Sequence, residues 1–97
     1  MSFIHPAARL ELEESTRYYL DISFELAERF LDDFDQTLSF IESMPLAWPM
    51  YYKDMRKLNL KFFPYSIIYN ISVPNNEINI FAFSHQYKKP FYWIERL

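Results

Sequence analysis

Ninety-seven residues, 51% apolar and 21% aromatic, are enough for one domain, residues 1–97, with a single core. No cysteine is present, which excludes a disulfide framework and a thiolate zinc site, and no apolar run is long enough for a membrane span. The net charge of −3 hides an asymmetry: residues 1–52 hold three Arg against ten acids, net −7, and residues 53–97 hold seven Lys and Arg against three acids, net +4. An anion-facing surface is expected on the C-terminal half, with the acids on a separate solvated face. The opening MSFIHPAARLE has neither the charged region nor the apolar stretch of a secretory signal, so a cytoplasmic location is expected.

In chain order, Ser2 to His5 reads as a short strand, and Pro6 suits the first position of a helix. Ala8, Leu12, Ser15 and Tyr19 recur at helical spacing, which predicts a helix from about Pro6 to Leu20. Glu11, Glu13 and Glu14 read as its solvated face rather than as paired catalytic carboxylates. Ser23 is the expected N-cap of a second helix, whose apolar stripe is Ala27, Phe30, Phe34, Leu38 and Ile41 and which Pro45 stops. Leu31 and Phe40 lie off that stripe. The short loop between the helices predicts an antiparallel hairpin.

Residues Pro45 to Pro49 read as a rigid connector in which Trp48 caps the core. In MRKLNLKFF, Leu58, Leu60 and Phe62 alternate with Lys57, Asn59 and Lys61, the period of a strand with one wet face. YSIIYNIS is the next strand, ended by Pro74-Asn75-Asn76, where asparagine can supply the positive φ usually left to glycine, a residue this chain lacks. Glu77 to Ser84 is the third. The expected fold is α+β: a short N-terminal strand, then an antiparallel helical hairpin packed on a C-terminal antiparallel sheet, in the order β-α-α-β-β-β.

Directly after this last strand come His85, Lys88, Lys89, Tyr92, Trp93 and Arg96. A rigid strand delivering cations, an imidazole and aromatics to one sheet edge suits an anionic ligand. The two histidines, His5 and His85, have no carboxylate spacing that suggests a metal site, and no glycine-rich loop exists to cradle a nucleotide; no metal and no cofactor are expected.

The combination Arg56-Lys57, Phe63-Pro64-Tyr65, Ile67, Tyr69, then His85, Lys88-Lys89, Pro90, Tyr92 and Trp93 resembles the RelE/ParE superfamily of toxins from bacterial type II toxin–antitoxin modules, also called plasmid-stabilisation proteins. The resemblance spans essentially the whole chain and lies closer to the ParE-like branch; Lys88-Lys89 stands where the family usually has Arg-Arg. It implies a growth-inhibiting toxin held inactive by a cognate antitoxin. ParE-like branches poison DNA gyrase and are not nucleases, which is the reading adopted. RelE-like branches cleave mRNA on the ribosome, and that alternative makes the chain a metal-independent endoribonuclease. A third alternative is a degenerate toxin fold that binds only its antitoxin.

On the nuclease alternative, cleavage needs a base for the 2′-OH, cations for the phosphorane and an acid for the leaving oxygen. His85, Arg56, Lys61 and Tyr92 are its candidates. For target binding the candidates are Lys57, Lys88, Lys89, Arg96, Trp93 and Tyr65, with Tyr65 also readable as core and His85 also readable as a structural hydrogen-bonder. The antitoxin is expected in a groove between the helical hairpin and the strand edge near Arg56 to Lys61, meeting Arg56, Lys57 and Lys61 with acidic residues. Self-association as a homodimer stays open.

Overall fold

The computed structural model describes residues 2–72 and 75–97. Its elements run β1 (Ser2–Ile4), α1 (Pro6–Ile22), α2 (Phe24–Ser43), β2 (Met50–Tyr52), β3 (Met55–Asn59), β4 (Tyr65–Ser72), β5 (Glu77–His85) and a terminal 3₁₀ turn (Ile94–Arg96). The strands form one sheet in the order β1-β5-β4-β3-β2. β1 runs parallel to β5, and the other neighbours are antiparallel.

Both helices begin as their sequence dictates. Pro6 opens α1, and the His5 side chain accepts the Ala7 N–H at 3.1 Å. Ser23 alone separates the helices: its backbone N–H closes α1 on Tyr19, and its Oγ accepts the Leu26 N–H at 3.0 Å to open α2. Ala27, Phe30, Phe34 and Ile41 of α2 are buried against β4 and β5, with Leu38 packed at the margin. The centre of this layer is aromatic. The Tyr65 and Phe83 rings stack at 4.8 Å, and Phe30 meets Tyr19, Phe63, Tyr65 and Phe83 mostly edge-on. Burial raises the Tyr19 and Tyr69 phenols above their ordinary value. The Tyr69 hydroxyl donates to the Pro45 carbonyl at 2.8 Å and so ties the connector to the sheet.

Three features correct the sequence reading. The C-terminal sheet has a fourth strand, β2, which pairs with β3 through Met50 and Arg56. The strand expected over MRKLNLKFF stops at Asn59. Beyond it the N–H groups of Lys61, Phe62 and Phe63 turn away to the carboxylate of Asp33, at 3.1, 2.8 and 3.1 Å. Asp33 lies between Phe30 and Phe34 on the buried face of α2 and is 4% exposed. Finally, Glu11 is not solvated. Its carboxylate reaches round the β5 edge left free beyond β1.

With no glycine available, Lys53, Asn76 and Phe91 adopt positive φ, at 51°, 53° and 61°. Asn76 does what the sequence predicts for the Asn75-Asn76 turn; Pro74 lies outside the described residues. Among the described residues no helix is long and apolar enough to cross a membrane.

Candidate functional site

The sheet face opposite the helices is only half covered. Trp93, 2% exposed, folds back onto Met55, Ile68 and Ala82 and makes a second small core there. The remainder of that face is a cleft of about 410 Å³, lined by Lys57 and Asn59 of β3, Ser66 and Ile68 of β4, Ser84 and His85 of β5, and Gln86, Lys88, Pro90 and Phe91 of the tail. Tyr51 closes one end, its ring stacked on Phe91 at 5.8 Å and approached by the Lys57 ammonium at 5.7 Å. Burial pushes the Tyr51 phenol up to about 12.

Strand alternation decides which candidates meet here. Lys57 pairs with Ile68 and turns to the cleft, whereas Arg56 pairs with Tyr69 on the helix side, where its guanidinium donates to the Trp48 carbonyl at 2.5 Å. The ridge of Arg56, Lys57 and Lys61 expected to meet the antitoxin is therefore split between the two sides of the sheet. Lys61 lies in the loop held by Asp33, its ammonium 5.2 Å from the Phe62 ring.

His85 stands at the end of β5 with its ring edge-on to Tyr65 at 4.9 Å, and its Nδ1 accepts the Tyr87 N–H at 3.1 Å. That bond leaves Nε2 to carry the proton of the neutral ring. Tyr65 is buried in the helix-side core. Lys88 lines the cleft, while Lys89 is exposed outside it.

Tyr92 and Arg96 are both gathered by Glu11. The Tyr92 hydroxyl donates to Glu11 Oε2 at 2.5 Å, and Arg96 Nη1 donates to Glu11 Oε1 at 2.7 Å. Burial first, and then the Glu11 carboxylate, raise the Tyr92 phenol above its ordinary value. For Arg96, burial works against the charge, but the bond and charge of Glu11 outweigh it and the guanidinium is held more firmly protonated. Arg96 also donates to the Phe81 carbonyl at 3.0 Å, while the Phe83 N–H goes to Glu11 at 3.1 Å. Two backbone groups of the exposed β5 edge are thereby satisfied.

The cleft thus brings together Lys57 and Lys88 with the hydroxyls of Ser66 and Ser84 and the aromatic wall of Tyr51 and Phe91; His85 borders it at the end of β5, but its ring lies against Tyr65 on the helix side. The cleft does not gather Arg56, Lys61, Tyr65 or Lys89, and it meets Trp93 only as a buried wall. Ser66, Ser84, Tyr51 and Phe91 escaped the sequence reading because only the register puts them on this face. The signal for Asp33 was present: it is a carboxylate among the buried positions of an apolar stripe. Among the described residues, no group of His, Asp and Glu is placed to hold a metal ion.

No family model and no curated protein matches the chain. Among solved structures it is similar to a chain from the chromosomal ParDE TA system of P. aeruginosa, at 16% sequence identity and a TM-score of 0.66. The match covers 87% of this chain and 92% of that one. What this likeness carries is the architecture, and it agrees with the element order and the helical hairpin laid on one sheet face: the chain shares the fold of that ParDE-system chain.

Proposed function

We propose that the chain is the toxin of a bacterial type II toxin–antitoxin module, neutralised by a cognate antitoxin, and that it acts in the ParE-like manner by binding DNA gyrase rather than by cutting RNA. The observation that carries this reading is the dispersal of the groups that cleavage would need. Tyr92 has its hydroxyl committed to Glu11, Arg56 lies on the other side of the sheet, and Lys61 is in a separate loop. Metal-free cleavage requires an acid, a base and cations within reach of one phosphate. What remains on the cleft face is Lys57 and Lys88 beside hydroxyls and stacked rings, a surface suited to holding carboxylates or phosphates of a target, while the His85 ring lies against Tyr65 on the helix side.

The antitoxin is assigned to the surface between α2 and the Asp33-held loop. Phe62 stands 72% exposed there, with Phe40 also exposed on α2, and a hollow lined by Arg29, Asp32, Asp33, Gln36, Phe62 and Phe63 separates helix from loop. An amphipathic antitoxin segment would place apolar anchors against these rings and acids against Arg29 and Lys61.

Inducible expression in a bacterial host tests the reading. A DNA-damage response with ongoing translation is expected, relieved by co-expression of the antitoxin. Immediate translation arrest with new mRNA ends would replace it with the nuclease reading.

A further inference from the structure

The tail that forms one wall of the cleft is attached to the rest of the molecule at two places. One is the Trp93 plug. The other is Glu11, which belongs to α1 and lines no part of the cleft. Its carboxylate side chain, 14% exposed, receives the Tyr92 hydroxyl, both Arg96 terminal nitrogens and the Phe83 N–H, with the Lys88 ammonium at 4.0 Å. The Tyr92 ring in turn carries two cations, with Lys88 Nζ at 4.8 Å and the Arg96 guanidinium at 5.1 Å from its centroid. Lys88 therefore reaches the cleft wall from a ring whose own hydroxyl is fixed by Glu11. A lysine in open solvent has four rotatable bonds to restrain, and this stack supplies the restraint. Helix dipole and helix charge do not account for Glu11, because its partners all lie on β5 or the tail.

We infer that Glu11 is a positioning residue for the cleft: it latches residues 86–97 against the β5 edge and, through Tyr92, sets Lys88 where an anionic group of the target is received. This rests on the cleft being the target-binding surface.

The test uses Glu11→Gln, which keeps one acceptor oxygen, enough for the Phe83 N–H, but places an NH2 donor at the position that accepts from the Tyr92 hydroxyl and removes the charge that holds Arg96 and Lys88. Amide hydrogen exchange reads the latch, and calorimetric titration with inorganic tripolyphosphate reads the cleft. Faster exchange confined to residues 86–97 is expected in the folded variant, together with about tenfold weaker tripolyphosphate binding, the size of one charge-assisted contact. Lys57→Ala should weaken binding without changing that exchange. In the wild type Lys88→Ala should also weaken binding, and in the Glu11→Gln background it should add little, since Lys88 is no longer placed. Unchanged exchange at residues 86–97 overturns the latch alone. Additive losses for Glu11→Gln and Lys88→Ala overturn the positioning role. Absence of any tripolyphosphate binding by the wild type overturns the cleft reading and the positioning role with it, while leaving the exchange result to stand for the latch.

Discussion

The carboxylate of Asp33 in the middle of α2 accepts the backbone N–H of Phe62 at 2.8 Å, from a residue 29 positions away. The same carboxylate holds the N–H groups of Lys61 and Phe63, so one buried side chain ends β3 and sets the exit of the loop. Three backbone donors depend on it. Asp33→Ala should therefore destabilise the fold by about 2–4 kcal/mol, the range for orphaning buried donors. Asp33→Asn, which keeps one acceptor oxygen, should cost less. Urea denaturation of both variants checks the order, and equal losses would show that the loop is held by Phe63 packing instead.

Trp93 is the plug of the second core, buried against Met55, Ile68 and Ala82. Trp93→Ala should cost about 3–5 kcal/mol and should release the tail. Chemical denaturation gives the first quantity. Loss of near-ultraviolet circular dichroism from the Tyr51, Tyr52, Phe91 and Trp93 cluster, with far-ultraviolet signal retained, gives the second.

Stability should fall at alkaline pH. The Tyr51 phenol is pushed to about 12 by burial, and those of Tyr19, Tyr69 and Tyr92 are also raised. In the unfolded chain tyrosine ionises near pH ~10. Between these values the native state binds more protons than the unfolded state, so the slope of stability with pH is negative. The stabilisation is fully present below pH about 10 and is lost as pH rises through the folded values. Thermal melts above neutrality, followed together with phenolate absorbance in a variant whose exposed Tyr18 and Tyr87 are replaced by Phe, should show ionisation of the buried phenols and unfolding in one step. Phenolate formation well before unfolding would contradict the burial.

Lys53 spends a positive φ in a tight turn between β2 and β3. A non-glycine residue there costs roughly 1–2 kcal/mol relative to its preferred basins. Because glycine also loses more entropy on folding, Lys53→Gly should stabilise by no more than about 1 kcal/mol. A shift of the urea midpoint reads it, and a drop in stability would place the Lys53–Tyr52 ring contact above the backbone effect.

Much of the fold was legible because its signals are local. Pro6, the Ser23 cap, the spacing of Phe30, Phe34 and Ile41, and the Asn75-Asn76 turn each act within a few residues, and each does so in the structure. What was not legible acts at a distance. Three residues after Pro49 do not read as a strand until β3 lies beside them. Glu11 looks like its solvated neighbours Glu13 and Glu14, and only the tail 81 to 85 residues later reveals its partners. Lys57 was recognisable as a candidate cation, but its separation from Arg56 follows from which face of β3 the helices cover.

The central claim is that the cleft face binds a target without performing chemistry on RNA. Supercoiling of relaxed plasmid by purified DNA gyrase, titrated with the protein, tests it most directly when run beside ribosomes translating a defined mRNA. The account predicts loss of supercoiling that Lys57→Glu with Lys88→Glu abolishes and equimolar antitoxin reverses, with the mRNA left intact. Codon-positioned cleavage of the mRNA, with gyrase unaffected at the same protein concentration, would contradict it.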